Sequence, residues 1–190
     1  MIKTEHAQDY GRGLWYLPSV FENSVFEKLK AEYRETATNW EVSYPNRINS
    51  KYRNTDYTYL NEVAYAICPK IAKFVDYDIA PISQECFIDL PGHALTWHFD
   101  NNNFKILLQV YMGDTLMPNA GTQWYVGDEN DRLWEEYGAN NIVPVTGLPK
   151  IETQFAMNAG YINDNTKKKV HGTNRVVAGT FRESLLFSFG

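Results

Sequence analysis

The chain has 190 residues, enough for one domain with a sizeable core, and 44% of them are apolar, which excludes general disorder. Lys and Arg number 18 against 23 Asp and Glu, and the resulting net charge of −5 weighs against a dedicated duplex-DNA binder. Two cysteines, Cys68 and Cys86, are too few for a disulfide scaffold or a four-cysteine zinc site.

The start, Met1 to His6, lacks the apolar run of a signal peptide, and no stretch reaches the roughly 18–20 apolar residues of a membrane span. A cytoplasmic protein with no membrane partner is therefore expected. Richness in Asn, Lys and Tyr fits AT-rich coding of the kind many phages have, so a viral origin with expression in a host cytoplasm suits the composition. Residues 14–17 read as a short strand ended by Pro18. Ser24-Val25-Phe26-Glu27 fits a capping box, and Val25, Phe26, Leu29 and Tyr33 follow at helical spacing, which predicts an amphipathic helix over 25–36. Residues 44–59, polar and aromatic with Arg47, Lys51 and Arg53, read as strand pieces joined by a rim loop. Leu60, Val63, Ala64, Ile67, Ile71 and Phe74 predict a second helix, which Pro69 should kink or split. Beyond residue 82, short apolar runs at 84–90, 94–98, 104–112, 122–126, 142–145, 154–158, 160–163 and 181–189 predict eight strands. Glu129 to Tyr137 is expected to form one helical turn in an insertion. Helices followed by many short strands make an α+β chain, with helices packed on one side of a sandwich or jelly roll.

The sharpest local feature is Trp97-His98-Phe99-Asp100. On a strand, His98 and Asp100 point to one face, although a lone His-x-Asp is equally a surface pair at a strand end. A third candidate ligand, His171, lies far downstream, and Arg182 and Ser184 follow on one face of the last strand. Leu185, Phe187 and Phe189 occupy its other face, with Phe181 grouped beside them. An unpaired Arg182 lining a barrel would be costly, and a bound anion removes the difficulty. Trp97 reads as packing, and His6 and His93 are not expected to be ligands. Lys167, Lys168 and Lys169 form either a solvated loop or a rim for an anionic substrate.

Taken in order, His98-x-Asp100, His171 and Arg182-x-Ser184 resemble the Fe(II)- and 2-oxoglutarate-dependent dioxygenases, in their compact, prolyl-hydroxylase-like branch. Leu90-Pro91-Gly92, the run from Lys105 to Gly113 and Gly121-Thr122 resemble that family's turn and core strands, with Ala120 where many relatives have a second glycine. The resemblance implies a double-stranded β-helix (jelly roll) over residues 81–190, supported by helices and a rim loop in 1–80, all in one domain. It implies iron held by His98, Asp100 and His171, a facial set that leaves positions open. The cosubstrate 2-oxoglutarate would be gripped at its distal carboxylate by Arg182 and Ser184. Tyr111 would either join that grip or be a plain core tyrosine. The activity implied is hydroxylation of a C–H bond with O2, turning 2-oxoglutarate into succinate and CO2. A peptide or protein side chain such as proline is the first expected substrate, and a small metabolite or modified base the second. Nucleic acid is not favoured as a partner, and the oligomeric state is open. The contrasting readings are a non-catalytic jelly-roll binding or structural protein and a cupin-type metalloenzyme. Cupins, however, usually carry more histidine ligands and need no Arg-x-Ser.

Overall fold

The structure, a computed structural model, describes residues 1–36, 41–50, 58–113, 119–145 and 147–190, with the side chains of Ser43 and Tyr44 outside that description. A hairpin of β1 (Gln8–Gly11) and β2 (Leu14–Leu17) opens the chain. It turns at Arg12-Gly13, where both residues take positive φ. Helix α1 (Asn23–Thr36) begins before the predicted capping box: the Glu22 carbonyl accepts the Val25 and Phe26 amides, which leaves Ser24 inside the first turn. A second hairpin, β3 (Glu41–Tyr44) and β4 (Arg47–Asn49), begins ahead of the predicted rim loop at 44–59 and places β4 in its first part. Residues 51–57 of that loop lie outside the described residues.

Helix α2 (Tyr59–Val75) continues through Pro69 and is not split. Proline there deprives the Tyr65 carbonyl of a donor, and both residues face solvent, where water can serve it. The strands β5 (Pro81–Asp89), β6 (Ile106–Tyr111), β7 (Thr122–Trp124), β8 (Ile151–Glu152), β9 (Gly160–Asp164), β10 (His171–Thr173) and β11 (Arg182–Phe189) follow. Helix α3 (Asn130–Tyr137) is longer than the single turn expected. The apolar runs 142–145 and 154–158 are loops: Val143, Val145 and Phe155 are buried without pairing in a ladder. The run 94–98 is likewise a loop, with an isolated bridge at His98.

Two sheets result, all their pairings antiparallel. The larger runs β1-β2-β9-β6-β11-β5-β4-β3 and the smaller β10-β7-β8. Strand alternation decides what each face of the large sheet does. Leu185, Phe187 and Phe189 of β11, with Leu108, Val110 and Cys86, pack against Leu29, Leu60, Ala64, Ile67 and Ile71 of the two long helices. Burying each such large side chain contributes about 1.5–3 kcal/mol relative to exposure. Arg182, Ser184, Leu186 and Ser188 take the opposite face of β11, toward the small sheet. Phe181 does not join the helix-facing group, because it precedes the strand and is exposed.

The small sheet has no room for a side chain at Gly121. A Cβ there would lie 1.5 Å from the Thr153 carbonyl oxygen, backbone that is itself tied to Thr122. Gly121→Ala should therefore prise β8 from β7 and cost at least about 1–3 kcal/mol. Urea unfolding reads this directly, and an unchanged midpoint would mean that the two segments do not pack as described.

Candidate metal centre and anion pocket

The loop after β5 and the strand β10 meet at one point. His98 and His171 face each other across an isolated antiparallel bridge, each amide donating to the other's carbonyl at 2.9 and 3.0 Å. That bridge sets their imidazole centroids 4.5 Å apart, and on its other side the His171 ring stacks on Trp124 at 4.6 Å. Asp100, two residues after His98, turns its Oδ1 to within 3.9 Å of His98 Nε2 and 3.5 Å of His171 Nε2. The three ligand atoms lie within 4.8 Å of one another.

The second nitrogen of each ring fixes what the first can do. His98 Nδ1 lies 2.7 Å from the Thr96 carbonyl and His171 Nδ1 lies 3.4 Å from the Lys169 carbonyl. A carbonyl only accepts, so both Nδ1 atoms carry a proton, and Nε2 is the nitrogen that each ring turns toward Asp100. Burial pushes the His171 imidazole down to about 4, so it is neutral at ordinary pH, as a metal ligand must be. Asp100 Oδ2 is buried with no hydrogen-bond partner among the described residues. A carboxylate with one oxygen buried and unsatisfied and the other facing two imidazole nitrogens is a donor set that fits a divalent cation.

These three residues line a cavity of about 350 Å³ between the sheets. Arg182 lines the same cavity, together with Arg47, Asn49 and Glu85 from the neighbouring strands and Gln109, Thr122, Tyr161 and Thr173. Arg182 is 2% exposed and is not unpaired: its Nε donates to Asp89 Oδ2 at 2.8 Å, and its Nη2 also reaches that oxygen. The expectation of an unpaired Arg182 relieved by a bound anion is thus corrected, because Asp89 at the end of β5 already meets the guanidinium. Asp89 was not legible as a site residue, although it shares a strand face with Glu85 and Phe87.

The two auxiliary residues expected at the carboxylate grip are not among the cavity's lining residues. Ser184 Oγ is fully buried and accepts from Gln109 Nε2 at 3.2 Å, while Gln109 Oε1 accepts the Tyr161 hydroxyl at 2.5 Å. Tyr111 has its hydroxyl 2.7 Å from Thr153 Oγ1, and it accepts the Thr122 amide at 3.1 Å. Burial raises the Tyr111 pKa, so this hydroxyl stays protonated and fastens β6 to β7. His93, expected in the turn before the first ligand, is buried with Nε2 3.4 Å from Asp89 Oδ1.

The lysine run is also resolved, and none of the three lines the cavity. Lys167 is exposed, 3.7 Å from Asp164. Lys168 lies over the Trp134 ring at 4.6 Å. Lys169 is buried, and its ammonium donates to the carbonyls of Arg12, Asp164 and Lys167 at 2.9, 2.7 and 2.6 Å. It ties the first hairpin to the segment leading into β10. Lys169→Met should orphan these carbonyls and cost at least about 1–3 kcal/mol. Chemical denaturation would show the loss. A variant of unchanged stability but altered ligand affinity would return Lys169 to a substrate role.

Solved structures share this architecture. HygX from Streptomyces hygroscopicus, solved with nickel and 2-oxoglutarate bound, superposes with a TM-score of 0.69 at 14% identity, covering 94% of this chain and 82% of that one. An oxidoreductase of the 2OG-Fe(II) oxygenase family from Burkholderia pseudomallei gives 0.68 at 11% identity, over 94% and 84%. A prolyl-4-hydroxylase from Pseudomonas putida gives 0.64 at 13% identity, over 93% and 91%. The chain has the fold of the 2-oxoglutarate- and Fe(II)-dependent oxygenases. No protein-family model and no curated protein matches the sequence. The oxygenase fold is therefore carried here by a sequence far from those of its structural neighbours. Among the described residues, no helix is long and apolar enough to cross a membrane.

Proposed function

We propose that this protein is a Fe(II)- and 2-oxoglutarate-dependent dioxygenase that hydroxylates a C–H bond. The observation that carries the proposal is that the His98, Asp100 and His171 cluster and the buried Arg182 open on one cavity. Facial ligation by two imidazoles and a carboxylate suits non-haem iron and leaves positions free. When bound, iron with 2-oxoglutarate and O2 supplies the oxidising power for inserting oxygen into a C–H bond. The chain's own residues do the rest. The Thr96 and Lys169 carbonyls orient the two imidazoles, and Trp124 stacks on the His171 ring. Arg182 would face the distal carboxylate of the cosubstrate, and the two sheets shield the cavity from water. We read these sheets as the major and minor sheets of a double-stranded β-helix, within a single domain spanning 1–190.

The substrate is proposed as a single protein side chain, such as proline, or a small metabolite. At about 350 Å³ the cavity is at the small end of ligand sites, which run from roughly 300 to 1,000 Å³. The structural neighbours include both a prolyl-4-hydroxylase and HygX, which has also been solved with hygromycin B bound. The decisive experiment reconstitutes the protein anaerobically with Fe(II), adds 2-oxoglutarate and O2, and measures succinate. In parallel, mass spectrometry scans substrate pools for the gain of one oxygen atom. Succinate dependent on Fe(II) and O2 is the expected result. Failure to bind both metal and 2-oxoglutarate would leave the non-catalytic jelly-roll reading.

A further inference from the structure

Asp89 holds two guanidiniums, not one. Arg47 on β4 gives its Nε to Asp89 Oδ1 at 2.5 Å and its Nη2 to Oδ2 at 3.0 Å, while Arg182 on β11 grips Oδ2 from the other side. The strand registers explain this: both arginines are the direct cross-strand partners of Asp89, so the three side chains form one rung across β4, β5 and β11. Burial alone would favour a neutral Asp89, but the Arg47 hydrogen bond and the charges of Arg182 and Arg47 outweigh it and hold the carboxyl below its usual range. His93, whose Nε2 lies 3.4 Å from Asp89 Oδ1, is pushed down by burial and adds no positive charge at neutral pH, and burial keeps the nearby Tyr33 hydroxyl protonated. The rung therefore carries two positive charges and one negative, a surplus of +1. Of the other acids on the cavity wall among the described residues, Glu85 is exposed and accepts from Asn49, and Asp100 belongs to the metal cluster. Neither supplies the missing negative charge.

The donors left over are unevenly shared. Arg182 spends its Nε and Nη2 on Asp89 and Thr173 and one Nη1 hydrogen on the Ala120 carbonyl, which leaves it a single free N–H. Arg47 Nη1 has no hydrogen-bond partner among the described residues, and the guanidinium carbon lies over the Phe87 ring, 4.4 Å from its centroid. Asp89 and Arg182 are buried and Arg47 is only partly exposed, so the surplus charge on this wall favours a counter-ion. Resting on the dioxygenase reading above, we propose that Arg47 is the second arm of the anion pocket. The distal carboxylate of 2-oxoglutarate is held between Arg47 and Arg182, with Asp89 as the fixed counter-ion that sets the two guanidiniums. One carboxylate brings the rung to zero net charge.

The test is anaerobic calorimetry on the full chain loaded with Mn(II), comparing 2-oxoglutarate with 2-oxobutyrate, which has the same keto-acid end but no distal carboxylate. Arg47→Gln should weaken 2-oxoglutarate by about 10- to 100-fold, as expected for loss of a hydrogen bond to a charged group. It should leave 2-oxobutyrate and Mn(II) affinities unchanged. Arg47→Lys, which keeps the charge without the fork, should fall between wild type and Arg47→Gln. The Gln variant keeps the neutral Arg182–Asp89 pair, and its thermal unfolding serves as the check on folding. Equal weakening of both keto acids, or no weakening of either, overturns the role of Arg47 and leaves the dioxygenase reading standing. If the wild-type protein takes up Mn(II) but binds neither keto acid, the dioxygenase reading falls and the role of Arg47 falls with it.

Discussion

His98→Ala and His171→Ala should each yield a folded protein that no longer holds Fe(II) or Mn(II) at micromolar concentrations. Losing an outer partner of a metal ligand typically costs about 10–100-fold in affinity. Removing a ligand from a set of three should exceed that, because two donors no longer define one face of the metal. His98 is the cleaner test: it is partly exposed, whereas His171 is buried against Trp124 and its removal also opens a hole. Asp100→Asn should act as strongly as either, since it keeps the shape of the side chain but gives up the charge that offsets the cation. Anaerobic titration of Mn(II), followed by paramagnetic resonance, measures all three. A variant that bound metal like wild type would remove its residue from the centre.

Arg182→Ala should have two separable effects. Its loss takes the surplus charge out of the pocket and removes one arm of the grip, so 2-oxoglutarate binding to the Mn(II) protein should weaken by about 100-fold or more. Stability should fall as well. Breaking a buried pair usually costs about 3–5 kcal/mol. The loss here should lie toward the lower end, because Arg47 still meets both Asp89 oxygens. The Thr173 hydroxyl and the Ala120 carbonyl also lose a donor. Arg182→Lys should recover part of the affinity without the fork geometry. Calorimetry and urea unfolding on the same preparations separate the two effects, and wild-type affinity in Arg182→Ala would move the anion pocket elsewhere. Ser184→Ala should act mainly through the Tyr161–Gln109–Ser184 chain of hydrogen bonds, and so on packing more than on cosubstrate affinity.

What the sequence shows and what it hides divide along physical lines. The alternation of β11 is local, so the separation of Arg182, Ser184, Leu186 and Ser188 from Leu185, Phe187 and Phe189 can be read from spacing alone. That His98 and Asp100 share a face is legible for the same reason, whereas His171 and Arg182 enter only through the resemblance of the ordered set to a known family. The runs 142–145 and 154–158 mislead because apolar residues fill a core equally well from a loop, and hydrophobicity does not say where backbone partners lie. Lys169 misleads in the opposite direction: a charge run reads as solvated, yet this ammonium is buried against the Arg12 carbonyl of the first hairpin and the nearby carbonyls of Asp164 and Lys167. The Arg47–Asp89–Arg182 rung is invisible in sequence, since it depends on which strands become neighbours in the sheet. The same holds for Tyr111, whose partners Thr122 and Thr153 come from β7 and from the residue just after β8.

The central place of β11 bears on how this protein can change length. Inserting one residue inside the strand would move every side chain beyond it to the other face. Downstream serines would then turn toward the hydrophobic layer beneath the helices, and phenylalanines would turn into the polar cavity. Core and pocket would fail together, because one strand serves as the wall of both. A residue added at Val177 to Gly179 would meet no such penalty, since the turn is exposed and Gly179 already has positive φ. Relatives of this chain should thus vary in length at the turn from Val177 to Gly179 and hardly at all in the eight residues after Phe181.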